Sequence, residues 1–284
     1  LASQDVPPGD PRWAESLFMV PEIRFADTTR TELSVVIKPF YKTIDGIPKN
    51  AKLRVSLSPN HTTEAAIAEL PLLIKCPTKM IGAGDRQLRM DVLLNGKAFA
   101  TQTLAVSFAD NLKARLASLR QLAEKIDKAS TIEQATLQHL TTMLADLADK
   151  KIPETNLPAH RLLTEAEALA IALKNDVPFY ESSRPGQFWL RVPKGKFTEP
   201  VRILIPDKLD PRKAVPVVFA LHGAGGSENM FFDTYGDGIT ARLCKERGWI
   251  MVATRANGLF GVGGAPSVTA ILEQLQKRYR IDGR

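Results

Sequence analysis

The chain has 284 residues, 44% of them hydrophobic and 24% charged, a globular composition that excludes a disordered or fibrous protein and allows two or three compact cores. No run approaches the roughly eighteen apolar residues of a membrane-spanning helix. A net charge of +7 invites a nucleic-acid reading, but the basic residues are scattered. The densest clusters, Lys194–Lys196 and Lys277–Arg280, lack interleaved aromatics, so the surface reads as solvated, with an anionic polymer partner as the alternative.

Residues 1–19 carry Pro and Gly without periodicity and read as an N-terminal arm or linker. The first residue is Leu1 and no basic-then-apolar leader precedes it, which fits a mature chain or a piece of a longer one.

From Glu32 the pattern has period two. Leu33, Val35 and Ile37 alternate with polar residues, as do Ala51, Leu53, Val55 and Leu57, then Leu88, Met90, Val92 and Leu94, then Leu104, Val106 and Phe108. One face meets a core and the other meets water, which is antiparallel-sheet behaviour. Asp45-Gly46 and Asn95-Gly96 supply the positive φ of tight turns. Residues 20–108 therefore read as a small β-sandwich resembling immunoglobulin-like accessory domains. His61 is its only histidine and reads as a solvent-exposed loop residue.

Over residues 109–185 the period becomes helical. Leu112, Leu116, Leu119, Ala123 and Ile126 trace one helix face. Ser130 and Glu133 form a capping-box signature for a second helix with an apolar stripe of Leu140, Met143, Leu144 and Leu147. Thr164 and Glu167 repeat the signature in or at the start of a third, ending near Lys174, with Pro153–Pro158 between the two. His139 and His160 stand singly and read as structural surface histidines. Cys76 and Cys244 lie far apart, without zinc spacing or a disulfide framework, and are expected to be buried free thiols. The region reads as a helical spacer, and no metal or cofactor is implied.

Over residues 186–284 the grammar is α/β. Phe188–Val192 and Val201–Ile205 read as short strands separated by Pro193, Gly195 and Pro200. Val215–Leu221 is a near-continuous apolar run, expected to be a strand buried on both faces. A helix over Gly238–Arg247, a buried strand over Trp249–Ala253, a glycine-rich loop over Asn257–Gly264 and a helix from about Ser267 to Arg278 complete a parallel-sheet pattern.

The apolar run leads directly into His222-Gly223-Ala224-Gly225-Gly226. A strand ending this way can turn sharply and present backbone N–H groups, unobstructed by Cβ atoms, to a reacting oxygen. Losing one such donor costs acyl transfer on the order of 3–4 kcal/mol. Phosphate loops also use glycine, but no Gly-Lys-Ser/Thr and no helix-opening G-x-G-x-x-G occurs here. A purely structural tight turn is the remaining alternative. Phe231, Phe232 and Tyr235 follow the loop, either lining a substrate pocket or anchoring the next helix in the core.

Phe188 through Arg284 resembles the secreted esterases related to polyhydroxybutyrate depolymerases and feruloyl esterases, in the α/β-hydrolase superfamily. The resemblance rests on Pro216-Val-Val-Phe-Ala-Leu-His-Gly-Ala-Gly-Gly-Ser-Glu-Asn-Met-Phe, on Arg247-Gly-Trp-Ile-Met-Val-Ala and on Tyr279-Arg-Ile-Asp. It implies that the Ala224 N–H serves the oxyanion hole with Gly225 shaping the turn, and that His222, Gly223 and Gly226 are structural. It also implies a nucleophile G-x-S-x-G on the strand after Tyr279-Arg-Ile-Asp, no cofactor, an ester substrate free or on a polymer, and an extracytoplasmic location. No G-x-S-x-G occurs in the chain, and none of its four histidines is placed as a triad base. The expectation is therefore the N-terminal half of a serine-esterase domain, stopping before its nucleophile and inactive alone. A serine peptidase on the same fold, or a non-catalytic carbohydrate- or surface-binding protein with a degenerate hydrolase-like part, are the alternatives.

Overall fold

The computed structural model describes residues 12–40, 47–126, 130–151, 156–181, 184–194, 197–210, 212–223, 226–255 and 264–283. The chain mixes sheets and helices and divides into two compact units, residues 1–116 with 143–164 and residues 117–142 with 165–284.

The first unit begins with α1 (Arg12–Glu15) and β1 (Leu17–Pro21), followed by β2 (Phe25–Asp27), β3 (Glu32–Pro39), β4 (Lys52–Ser58), β5 (His61–Ala66), β6 (Leu72–Pro77), β7 (Gly84–Leu94) and β8 (Lys97–Ala109). One sheet has the order β1-β3-β6 and the other β2-β8-β7-β4-β5. The alternating residues of β3, β4, β7 and β8 meet in one apolar core with Ile74 and Cys76 of β6, so the two sheets form a sandwich. The β7–β8 hairpin turns at Asn95-Gly96 with φ of 52° and 77°, both in the left-handed region that this turn requires. Asp45-Gly46 lies outside the described residues.

The structure corrects the sequence reading at three points here. Residues 12–19 are not a free arm: Trp13, Ala14, Leu17 and Met19 are buried in the sandwich core. Strands β5 and β6 escaped the pattern because β5 is a polar edge strand and β6 opens on the consecutive apolar pair Leu72-Leu73. His61 is not a loop residue but the first of β5, half-buried, with both ring nitrogens engaged. Its Nε2 lies 3.1 Å from the Lys79 carbonyl, which only accepts, so Nε2 carries the proton and Nδ1 accepts from the Ser58 hydroxyl at 2.7 Å.

Three helices follow, α2 (Leu112–Glu124), α3 (Ile132–Ala148) and α4 (Ala159–Lys174), and the division between units falls inside each of them. The predicted apolar stripe of α2 is buried at Leu112, Leu116, Leu119 and Ala123. The cap of α3 sits one residue later than Ser130. Thr131 Oγ1 accepts from the Gln134 N–H at 3.2 Å, and Gln134 Oε1 accepts from the Thr131 N–H at 3.4 Å, a reciprocal box. Glu133 is thereby released to pair with Arg278 at 3.2 Å. Thr164 starts no helix. It lies inside α4, donating to the His160 carbonyl at 3.1 Å, because the α4 N-terminus is capped from the sheet. Asp85 accepts from the His160 and Arg161 N–H groups at 2.9 and 3.2 Å, and Ser107 Oγ from Ala159 N–H at 3.0 Å.

In the second unit β9 (Gly186–Lys194), β10 (Phe197–Ile205), β11 (Val217–Ala220) and β12 (Ile250–Thr254) form a sheet of order β11-β12-β10-β9. Helix α5 (Ile239–Arg247) connects the last two strands, and α6 (Gly264–Gln276) follows. The first pairings, β9 with β10 and β10 with β12, are antiparallel; β11 and β12 are parallel. Pro193 and Pro200 do not separate the first two strands but sit within them, opposite Thr198 and Arg191. Gly195 and most of the predicted glycine-rich loop, Asn257 to Gly263, lie outside the described residues.

Strand β12 is buried throughout. By contrast β11, read as buried on both faces, is half-buried over Val217–Phe219 because among the described residues it is the edge strand. Just before its start, Val215 pairs in parallel with Ile281: Val215 N–H donates to the Arg280 carbonyl at 2.8 Å and Asp282 N–H to the Val215 carbonyl at 2.9 Å.

Candidate functional site

The predicted oxyanion segment lies where β11 ends. Leu221, His222 and Gly223 leave the strand without regular structure, and Gly226 resumes the chain with its N–H donating to the Gly223 carbonyl at 3.2 Å. Ala224 and Gly225, the expected oxyanion pair, lie outside the described residues. His222 ties this loop down. Its Nδ1 is 2.6 Å from the Gly223 carbonyl and its Nε2 is 2.9 Å from the Arg255 carbonyl, just past β12. A neutral ring carries one N–H and satisfies one of the two at a time. Gly226 has a steric reason: a Cβ there would stand 2.5 Å from Cγ and Nδ1 of His222, so a larger residue would have to displace the ring.

The next segment is pinned by a polar network that sequence reasoning missed. Glu228 is buried, and its Oε2 accepts from Arg255 Nε at 2.9 Å, the charged partner that a buried carboxylate requires. Arg255 also donates its backbone N–H to the Pro200 carbonyl at 3.1 Å, so one residue joins β10, the His222 loop and the Glu228 turn. Asn229 Oδ1 accepts from Trp189 Nε1 at 2.9 Å and from Arg202 Nη1 at 3.1 Å. Arg202, 4% exposed, also reaches Gln187 Oε1 at 2.8 Å and both carboxylate oxygens of Asp233. Its guanidinium carbon lies 4.1 Å from the Trp189 ring centroid and 4.4 Å from that of Phe232, a doubly stacked cation. The available signal was Arg202 itself, a charge inside the apolar run Val201–Ile205.

Residues Met230–Thr234 form a wide helical turn and Tyr235–Gly238 a tight one, leading into α5. They separate the predicted aromatic trio. Phe232 is buried in the core with Leu204, Ala220, Met251 and Ala253, the anchoring position. Phe231 is partly buried and meets Tyr235 edge-on at 5.1 Å, and Tyr235 is exposed.

His139 departs from its reading as a surface histidine. It is half-buried on α3, where burial and then the charges of Arg191 and Arg255 push its imidazole down to about 4. His160 contributes its backbone to the α4 cap. The thiols of Cys76 and Cys244 are free and buried, and burial pushes Cys76 up to about 11. Among the described residues no three of His, Cys, Asp and Glu gather into a group able to hold a metal ion, and no helix is long and apolar enough to cross a membrane.

No protein-family model and no curated protein sequence matches the chain. Among solved structures, the chain is similar to the ferulic acid esterase of the anaerobic fungus Anaeromyces mucronatus, determined without substrate, at 18% identity and a TM-score of 0.25 over 35% of this chain and 45% of that one. It is also similar to the ferric enterobactin esterase of Salmonella typhimurium, at 11% identity and a TM-score of 0.25 over 94% of this chain and 64% of that one. The chain thus spans 45% and 64% of these two proteins.

Proposed function

We propose that this chain carries the oxyanion-loop half of a serine-type carboxylic ester hydrolase of the α/β-hydrolase kind. The observation that carries the reading is the position of His222 and Gly223. They leave the carboxyl end of β11, in a parallel pair with β12, and His222 clasps the carbonyl just beyond β12. The carboxyl ends of parallel strands are where α/β sheets hold ligands. The resemblance to polyhydroxybutyrate depolymerases and feruloyl esterases supplies the chemistry: an acyl-enzyme formed on serine and resolved by water, without metal or cofactor. In this reading the Ala224 N–H stabilises the tetrahedral oxyanion, Gly225 shapes the turn, and His222, Gly223 and Gly226 hold the loop. Phe231 and Tyr235 border the acyl or aryl site, with Phe232 as their anchor.

The Arg202–Asn229–Asp233 and Arg255–Glu228 networks preorganise the loop by fixing the chain that follows it. An oxyanion donor is effective only if it needs no reorganisation as charge develops. The nucleophile belongs on the strand whose pairing begins at Ile281. The test is an Ala224→Pro substitution in the protein expressed from its whole gene, which removes one N–H donor. Hydrolysis of p-nitrophenyl acetate should lose about 10²–10³ in kcat, with the fold retained by circular dichroism. Unchanged kcat in the folded variant removes the oxyanion role, and a parent without esterase activity favours a non-catalytic binding protein.

A further inference from the structure

Between α3 and the β9–β10 hairpin, on the face that carries His139, an open cleft of about 280 Å³ is lined by Ala135, Gln138, His139, Thr142, Arg191 and Thr198. Among the described residues every polar group in its wall is neutral or cationic, and no carboxylate lines it. Arg191 is half-buried and held rigidly. Its backbone N–H donates to Thr136 Oγ1 at 2.9 Å, and its Nε donates to Thr198 Oγ1. Glu199 and Glu228 act on Arg191 through space, and neither lines the cleft. Thr198 accepts from the guanidinium and lines the cleft, so its hydroxyl keeps one O–H to donate. His139 remains neutral near pH 7 and offers one ring N–H. The wall thus combines a fixed planar cation with hydroxyl and imidazole donors, the donor set that recognises planar or tetrahedral oxyanions.

We propose that this cleft binds a small oxyanion, a phosphate or carboxylate group, held by the Arg191 guanidinium with His139 and Thr198 as further donors. None of the described lining residues belongs to the segment after β11, and the proposal does not depend on the esterase reading. Burial limits hydration of Arg191, so a bound anion gains more from this cation than from a surface lysine.

The test uses the full chain with its histidine imidazoles observed by NMR at pH 7, at constant ionic strength set with sodium chloride. Inorganic phosphate and acetate are titrated separately. Saturable movement of the His139 resonances is expected while His61, His160 and His222 stay still. The tighter of the two ligands then tells whether the site favours phosphate or carboxylate. Arg191→Gln should weaken binding at least tenfold. Thr142→Asp keeps Arg191 but places a competing carboxylate in the cleft from an exposed helix position, and should weaken binding to a similar extent. A flat His139 response to both anions overturns the proposal, as does unchanged affinity in a folded variant of either kind.

Discussion

Gly226 and His222 are packed against each other. A Cβ at position 226 meets the imidazole at 2.5 Å, so Gly226→Ala should displace the ring and destabilise the second unit by about 2 kcal/mol, read as a lower urea midpoint. An unchanged midpoint means the ring swings away at no cost. His139 gives the molecule a pH dependence of its own. Its folded pKa of about 4 lies below the ordinary value of 6.5, so below pH 6.5 the unfolded chain takes up a proton that the folded chain refuses. The stability is present in full above pH 6.5 and is lost as the pH falls through the window to 4, a total of about 3 kcal/mol. His139→Gln should flatten the fall in urea midpoint between those pH values, and an equally steep fall would assign the dependence to other groups. In the sequence both histidines stand alone. The glycines around His222 marked a loop, whereas nothing near His139 announced Arg191 or Arg255, because those cations come from other elements. Arg202 was similarly opaque: one charge in an apolar strand reads as a solvent-facing residue until Asn229 and Asp233 fold over it.

At the scale of elements, caps were the least legible feature. Ser130 and Thr131 both fit a helix N-cap, and the Gln134 side chain accepts from both; the Gln134 N–H, which donates to Thr131 Oγ1, selects Thr131. The cap of α4 could not be read locally at all, since Asp85 and Ser107 come from β7 and β8. Asp85→Ala should therefore cost about 1–2 kcal/mol, although residue 85 lies in a strand, and chemical denaturation checks it; a loss below a few tenths would mean that water replaces the carboxylate. Asp27 plays the same part for α2, accepting the Leu112 N–H at 2.8 Å. Burial pushes its carboxyl up, but hydrogen bonds from the Thr29 N–H, the Thr29 hydroxyl and the Leu112 N–H outweigh it and hold the pKa below the ordinary value. That contribution is present above the ordinary Asp range and lost only as the pH falls through the lower folded value. Asp27→Asn should therefore blunt the acid unfolding of the first unit below about pH 4, and an unaltered acid limb would remove Asp27 from the account. The alternating strands β3, β4, β7 and β8 were legible because a two-sided sheet writes its burial directly into the sequence; β5 was not, because as an edge strand its residues are polar on both faces.

At the scale of the whole molecule, composition changes marked a sandwich, a helical region and an α/β region. The structure instead draws its division through α2, α3 and α4. Helical periodicity shows which face is apolar but not which core receives it. In the second unit β11 has an unpaired edge over Val217–Ala220 among the described residues, with Leu221 52% exposed beside it, a template for association with other chains. Leu221→Lys should lower light scattering of the 284-residue chain at constant urea midpoint, and undiminished aggregation would place the sticky surface elsewhere. We propose that the loop after β11 belongs to a serine esterase with its nucleophile C-terminal to Ile281. The most direct measurement is fluorophosphonate labelling of the protein expressed from its whole gene, with the labelled peptide identified by mass spectrometry. The account predicts one labelled serine, C-terminal to Ile281 and within a Gly-x-Ser-x-Gly, and no stoichiometric labelling of the 284-residue chain alone; a labelled serine within these residues, or none in the whole protein, would contradict it.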